Sequence, residues 1–145
     1  MNHPPASERD YWDRILKLAK DNGGSFTLHQ IQEEFDLTSR EVKKITKLIE
    51  ENRSDDAVDN YERAESSVKA WGGRTTSEEY EEEKTTSPDM QRIKGLQKLD
   101  VIAYREFKSI DIDDDEAVHA TLLKYLTLNQ IFLYSRQKGV LHGWF

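Results

Sequence analysis

Apolar residues return every three or four positions over most of this chain, with polar and charged residues between them, and that period predicts helices. Tyr11, Trp12, Ile15, Leu16 and Ala19 form the first stripe. Ser7 precedes it as a candidate N-cap, Glu8 and Asp10 suit the positive end of the helix dipole, and Gly23-Gly24 closes it. The spacing predicts a helix over 8–21. Two more helix starts follow. Thr27 and Gln30 make a Thr-x-x-Gln capping box flanked by Phe26 and Ile31, and Thr38 and Glu41 make a second box flanked by Leu37 and Val42. Such boxes satisfy N–H groups that the first helical turn leaves without partners, and the flanking apolar pair staples the chain to the helix. Helices over 28–35 and 39–53, joined by a short turn, are predicted: a helix-turn-helix arrangement.

Downstream, Val58, Tyr61, Ala64, Val68 and Trp71 predict a fourth helix that Gly72-Gly73 should stop. The run Glu78 to Glu83 is acidic except for Tyr80 and has no stripe to bury, so 72–87 is expected as a solvated linker. Ser87-Pro88-Asp89 is a helix start, with Ile93, Leu96 and Leu99 as the apolar face of a helix over 88–99. β-branched and aromatic residues dominate from Val101 to Phe107 and predict a strand. Lys108-Ser109 would turn it back into Ile110-Asp111-Ile112 as a short β-hairpin. Asp113 and Glu116 are the expected cap of a last helix, 114–138, closed by Gly139. The fold class read from this pattern is mainly α, with an N-terminal three-helix unit, further helices, a hairpin near 101–112 and a long C-terminal helix. The division that follows is 1–53, the helix-turn-helix unit; 54–71, a connecting amphipathic helix; 72–87, an acidic linker; and 88–145, a helix–hairpin–long helix part expected to oligomerise.

The stretch Ile31-x-x-x-Phe35-x-Leu37-Thr38-x-x-x-Val42-x-x-Ile45-x-x-Leu48 resembles the core of the helix-turn-helix and winged-helix DNA-binding superfamily. The resemblance covers residues 26–53 and implies that the second helix of the pair enters the major groove of double-stranded DNA. Glu51 to Asp56 leads into another helical pattern, so no wing is expected directly after that helix. The helix, strand, turn and strand expected over 88–112 would offer a displaced one.

On the helix over 39–53, Val42, Ile45, Leu48 and Ile49 fall on one side and Arg40, Lys43, Lys44 and Lys47 on the other. Four cations on an exposed face suit phosphates, and Thr38 and Ser39 at the helix start can donate hydrogen bonds to another phosphate. These six are the candidate DNA contacts. Glu51 shares the basic face, and no Asn or Gln stands there to read adenine.

The net charge of −7 argues against broad attraction to nucleic acid, but its distribution changes the picture. Residues 54–88 hold 4 basic and 10 acidic side chains, so the excess lies outside the helix-turn-helix unit. The chain has no cysteine, no Gly-rich phosphate loop and no nucleophile motif. Glu116-x-x-His119 is half of a di-iron pattern without its other half. The run Asp111 to Asp115 fails as a calcium loop because Glu116 and Leu122 stand where Gly and Glu are needed. His29 and Glu33 share a helical face but nothing completes a site. No enzyme, metal or cofactor is expected. Met1 to Asp10 has no apolar leader and no run is long enough to span a membrane, so a cytoplasmic or nuclear address is expected, not secretion.

The last helix is apolar around most of its circumference, which predicts a second buried face, with a homodimer through Leu122, Leu126, Phe132 and Leu133 as the expectation and a central core helix in a monomer as the alternative. The tail from Val140 to Phe145 is a further apolar contact candidate. The function expected is a dimeric DNA-binding protein that regulates transcription or replication. Two alternatives stand beside it: a non-catalytic adaptor or inhibitor holding a protein partner through the acidic middle and apolar tail, and a small phage-type DNA-packaging subunit.

Overall fold

The caps in the N-terminal third act where the sequence places them. In the computed structural model, which describes residues 5–136, α1 spans Glu8–Asp21, α2 Leu28–Glu34 and α3 Ser39–Glu51. Ser7 accepts a hydrogen bond from the Asp10 N–H at 3.0 Å, and both capping boxes close. α1 ends in a Schellman turn: the Gly24 N–H donates to the Ala19 carbonyl at 2.7 Å, and Gly23 and Gly24 take φ of 76° and 112°.

Three more helices follow, α4 Ala57–Glu83, α5 Met90–Lys108 and α6 Asp115–Ser135. Among the described residues there is no strand, so the β-hairpin expected near 101–112 is corrected to the second half of α5. The physical reason is burial. Ile93, Leu96, Leu99, Ala103 and Phe107 recur at helical spacing and all are buried, on a helix that packs against α4 and α1. A lone two-stranded hairpin is marginal in water, whereas a helix puts this whole row into one core. Ser109, expected in the hairpin turn, is the C-cap of α5. The caps shift as well: Asp89 caps α5 in place of Ser87, and Asp114 caps α6 in place of Asp113. The expected end of the last helix at 138 and the tail from Val140 to Phe145 lie outside the described residues.

α4 passes through Gly72-Gly73, where the sequence pattern expects a stop. A helical glycine costs about 1 kcal/mol relative to Ala, but here packing outweighs propensity. A Cβ on Gly72 would meet the Asp100 carboxylate of α5, which would have to turn aside, so glycine suits the place where that side chain lies against α4. The acidic run beyond it is helical too, and part of it turns inward. Glu78 Oε2 meets Arg92 Nη2 at 2.7 Å, and Glu82 Oε1 meets Arg92 Nε at 3.3 Å. Asp13 of α1 pairs with the same guanidinium, while Glu82 also pairs with Arg9 at 3.3 Å and accepts from the Asp89 N–H at 3.1 Å. Burial alone would lower the Arg92 pKa, but its hydrogen bonds and the charges of Glu78 and Asp13 outweigh that and raise it.

α1, α5, α4 and α6 close a ring of four helices, each packed on the next. α5 runs antiparallel to α4, with the Tyr61 and Phe107 rings 4.6 Å apart at the end opposite the Arg92 cluster. α6 runs parallel to α4, with Arg74 Nε donating to Asn129 Oδ1 at 3.1 Å and Asn129 Nδ2 to the Ser67 carbonyl at 3.0 Å. α1 runs antiparallel to α6, its Glu8 paired with Arg136. At the centre Trp71 Nε1 donates to Tyr11 Oη at 3.1 Å, and Tyr11 Oη donates to the Leu128 carbonyl at 2.9 Å. Those bonds satisfy the polar atoms of two fully buried rings, and burial pushes the Tyr11 phenol far above its ordinary pKa. Among the described residues no helix is long and apolar enough to cross a membrane.

Candidate nucleic-acid interface

The α2–turn–α3 unit is attached to this bundle through its own apolar face. Ile31 and Phe35 of the α2 region join the same core as Tyr11 and Trp12, and Phe35 stacks on Tyr11 with ring centroids 5.8 Å apart. Arg14 of α1 lies over the other components of that corner: 4.4 Å from the Phe35 ring centroid, and 3.2 Å from Glu34 Oε2. Its Nη2 also donates to the Glu34 carbonyl at 2.8 Å. The turn out of α2 is a Schellman motif, in which the Leu37 N–H donates to the Gln32 carbonyl at 2.9 Å and the Asp36 N–H to the Glu33 carbonyl at 3.2 Å. Asp36 supplies the left-handed residue, with φ 52°, where glycine carries no steric penalty.

α3 starts at a closed box. The Glu41 N–H donates to Thr38 Oγ1 at 3.2 Å, and the Thr38 N–H donates to Glu41 Oε1 at 3.2 Å. The Thr38 hydroxyl donates to the same Glu41 oxygen at 2.7 Å. Glu41, Ile45 and Ile49 form the buried side of α3, which packs on α6. Arg53 and Asp115, 3.0 Å apart, tie the end of α3 to the start of α6.

The opposite side of α3 carries the candidate contacts. Ser39, Arg40, Lys43, Lys44 and Lys47 are all exposed, as is Thr38 at the helix start. Lys47 Nζ lies 3.7 Å from Glu51 Oε1, which reduces its charge at the C-terminal end of the face. The Thr38 hydroxyl is taken up by the cap, so at the helix start Ser39 offers the less committed side-chain donor. Neither Glu78 nor Glu82 approaches this face; both are held at the Arg92 cluster between α1, α4 and α5.

The residues expected to pair subunits are placed differently. Phe132 is 3 % exposed, its ring 5.4 Å from Tyr11 and 5.8 Å from Trp12, with Arg74 and Arg136 stacked over it at 4.7 and 4.6 Å. It belongs to the core of its own chain. Leu122 and Leu126 are half-buried, and Leu133 alone of the four counts as exposed, at 36 %. α6 is apolar around most of its surface because α1, α2, α3 and α4 all pack on it.

A second basic face, which sequence reasoning misses, lies on α5. Lys94, Lys98, Arg105 and Lys108 are exposed and share one side of the helix. Their spacing of four, seven and three is a helical signal, visible once residues 101–108 are read as helix rather than strand. Comparison with known proteins gives no match to a family model, to a curated protein or to a solved structure.

Proposed function

We propose that this chain binds duplex DNA through α3 and acts as a regulator at its site. The observation that carries the reading is the open cationic side of α3: Arg40, Lys43, Lys44 and Lys47 are exposed together on a helix whose start is set by the Thr38–Glu41 box. A helix of 13 residues in this arrangement fits the major groove, with its basic side chains against phosphates and Arg40 able to take a guanine edge. The inward use of Glu78 and Glu82 removes two carboxylates from the surface that an adaptor reading needs. Two copies on a near-palindromic site would meet through surface that includes Leu133 and the half-buried Leu126, not through Phe132.

The test is a titration of fluorescent duplex with the whole chain at low and moderate salt, repeated for Lys43→Ala/Lys44→Ala/Lys47→Ala. Removing three phosphate contacts is expected to weaken binding by more than about tenfold at low salt and to flatten the slope of log K against log salt by roughly 2.7. Light scattering of the complex is expected to give two copies per duplex. An unchanged affinity and slope in the triple variant would overturn the assignment.

A further inference from the structure

The basic face of α5 is unusual in a chain of net charge −7. Lys94, Lys98, Arg105 and Lys108 fall within about a quarter of the helix circumference and extend along roughly 21 Å of its length. Val101 is exposed within the arc, and Gln97 and Tyr104 are exposed along one edge of it, so no carboxylate interrupts the arc. The two acids of the same helix point to its flanks. Asp100 lies against Gly72 of α4, and Glu106 holds Lys124 at 3.0 Å and Tyr125 at 3.2 Å. Among the described residues Lys94, Lys98 and Arg105 have no ion-pair partner, while Lys108 Nζ lies 5.2 Å from the Tyr104 ring centroid. Four like charges in single file repel one another, and a polyanion relieves that repulsion.

We propose that this face of α5 is a track for a single nucleic-acid strand, separate from the duplex-binding face assigned to α3. The width of the stripe selects the strand. Carboxylates border it: Glu79 of α4, which lies near Gln97, with Glu83 and Asp100 beside it, and the exposed Asp111 and Asp113 beyond its C-terminal end. A duplex is broader than the stripe and would lie over those acids, whereas one strand can follow the helix axis beside them. The apolar surface in and beside the stripe selects bases over an acidic protein. Val101 is 49 % and Tyr104 41 % exposed, and an exposed ring among cations suits stacking with an unpaired base.

The experiment measures anisotropy of a short fluorescent oligo-dT with the whole chain at low and moderate salt. Lys98→Gln/Arg105→Gln/Lys108→Gln is expected to weaken binding by more than about tenfold and to reduce the salt slope by roughly 2, as for three phosphates on a single strand. Tyr104→Ala alone is expected to weaken it about fivefold or more, the loss of one stacked base. Circular dichroism checks that both variants keep their helices. Lys43→Ala/Lys44→Ala/Lys47→Ala should leave oligo-dT binding unchanged, which separates this proposal from the reading of α3. The proposal is overturned by a wild-type chain that does not bind oligo-dT, by unchanged affinity in the α5 variant, or by polyglutamate competing as well as oligo-dT, which would assign the face to an acidic protein instead.

Discussion

α3 and α5 each expose four basic side chains along one face, yet the two helices are held in place by different means. α3 is organised locally: Thr38 and Glu41, three residues apart, close its first turn, and the Schellman turn through Asp36 sets its direction relative to α2. α5 is organised at a distance. Its buried Arg92 reaches Glu78, 14 residues earlier, and Asp13, 79 residues earlier, and its Asp100 side chain lies against Gly72 of α4. The difference has a consequence for charge as well. The basic face of α3 ends at Glu51, which pairs with Lys47, while that of α5 runs without an acid because Asp100 and Glu106 are drawn to neighbouring helices.

That contrast can be broken in order of size. Arg92→Ala should have the largest effect, because it leaves Glu78 without its cation and Glu82 with Arg9 alone. A loss of roughly 2–4 kcal/mol is expected, below the value for a wholly enclosed pair because Asp13 is exposed. Chemical denaturation measures it, and a loss no greater than that of a surface substitution would show that α5 does not depend on the clamp. Thr38→Ala removes both the N-cap and a partner of the buried Glu41 carboxylate. About 1–2 kcal/mol should be lost, with hydrogen exchange accelerated in the first turn of α3 and not in α5. Exchange accelerated equally in both helices would erase the distinction between local and distant organisation. The smallest effect sharpens the picture of α4. Gly73 lies inside the helix with open space where a Cβ would stand, so Gly73→Ala should stabilise by about 0.5–1 kcal/mol. In a solvated linker the same change would leave the melting temperature where it was.

The first three helices were legible because their determinants act within four residues of one another. Ser7, Thr27 and Thr38 are N-caps in the structure as in the sequence pattern, and Gly23-Gly24 ends α1. The outward position of Arg40, Lys43, Lys44 and Lys47 follows from the period that buries Ile45 and Ile49. At two places beyond residue 71 the same reasoning misleads. Gly72-Gly73 has the composition of a break, and Val101 to Phe107 that of a strand, but each is decided by a neighbour that no local pattern reveals. The basic face of α5 was hidden by that error, since it put Lys98 on a helix, Arg105 on a strand and Lys108 in a turn. The second buried side of α6 was legible, but not what buries it: helices of the same chain cover it, with Phe132 among the core rings.

By itself the sequence determined where the first three helices begin, which side of α3 is basic, and that the chain is largely helical. Those outcomes rest on hydrogen bonds and periodicities spanning one or two turns, too short in range for the rest of the molecule to overrule. Only the tertiary structure decided that α4 continues through two glycines, that α5 is a helix to Lys108 and that the acids at 78 and 82 face inward. At those positions local preferences are worth about 1 kcal/mol or less, and burying a row of apolar side chains or completing a charged cluster outweighs them.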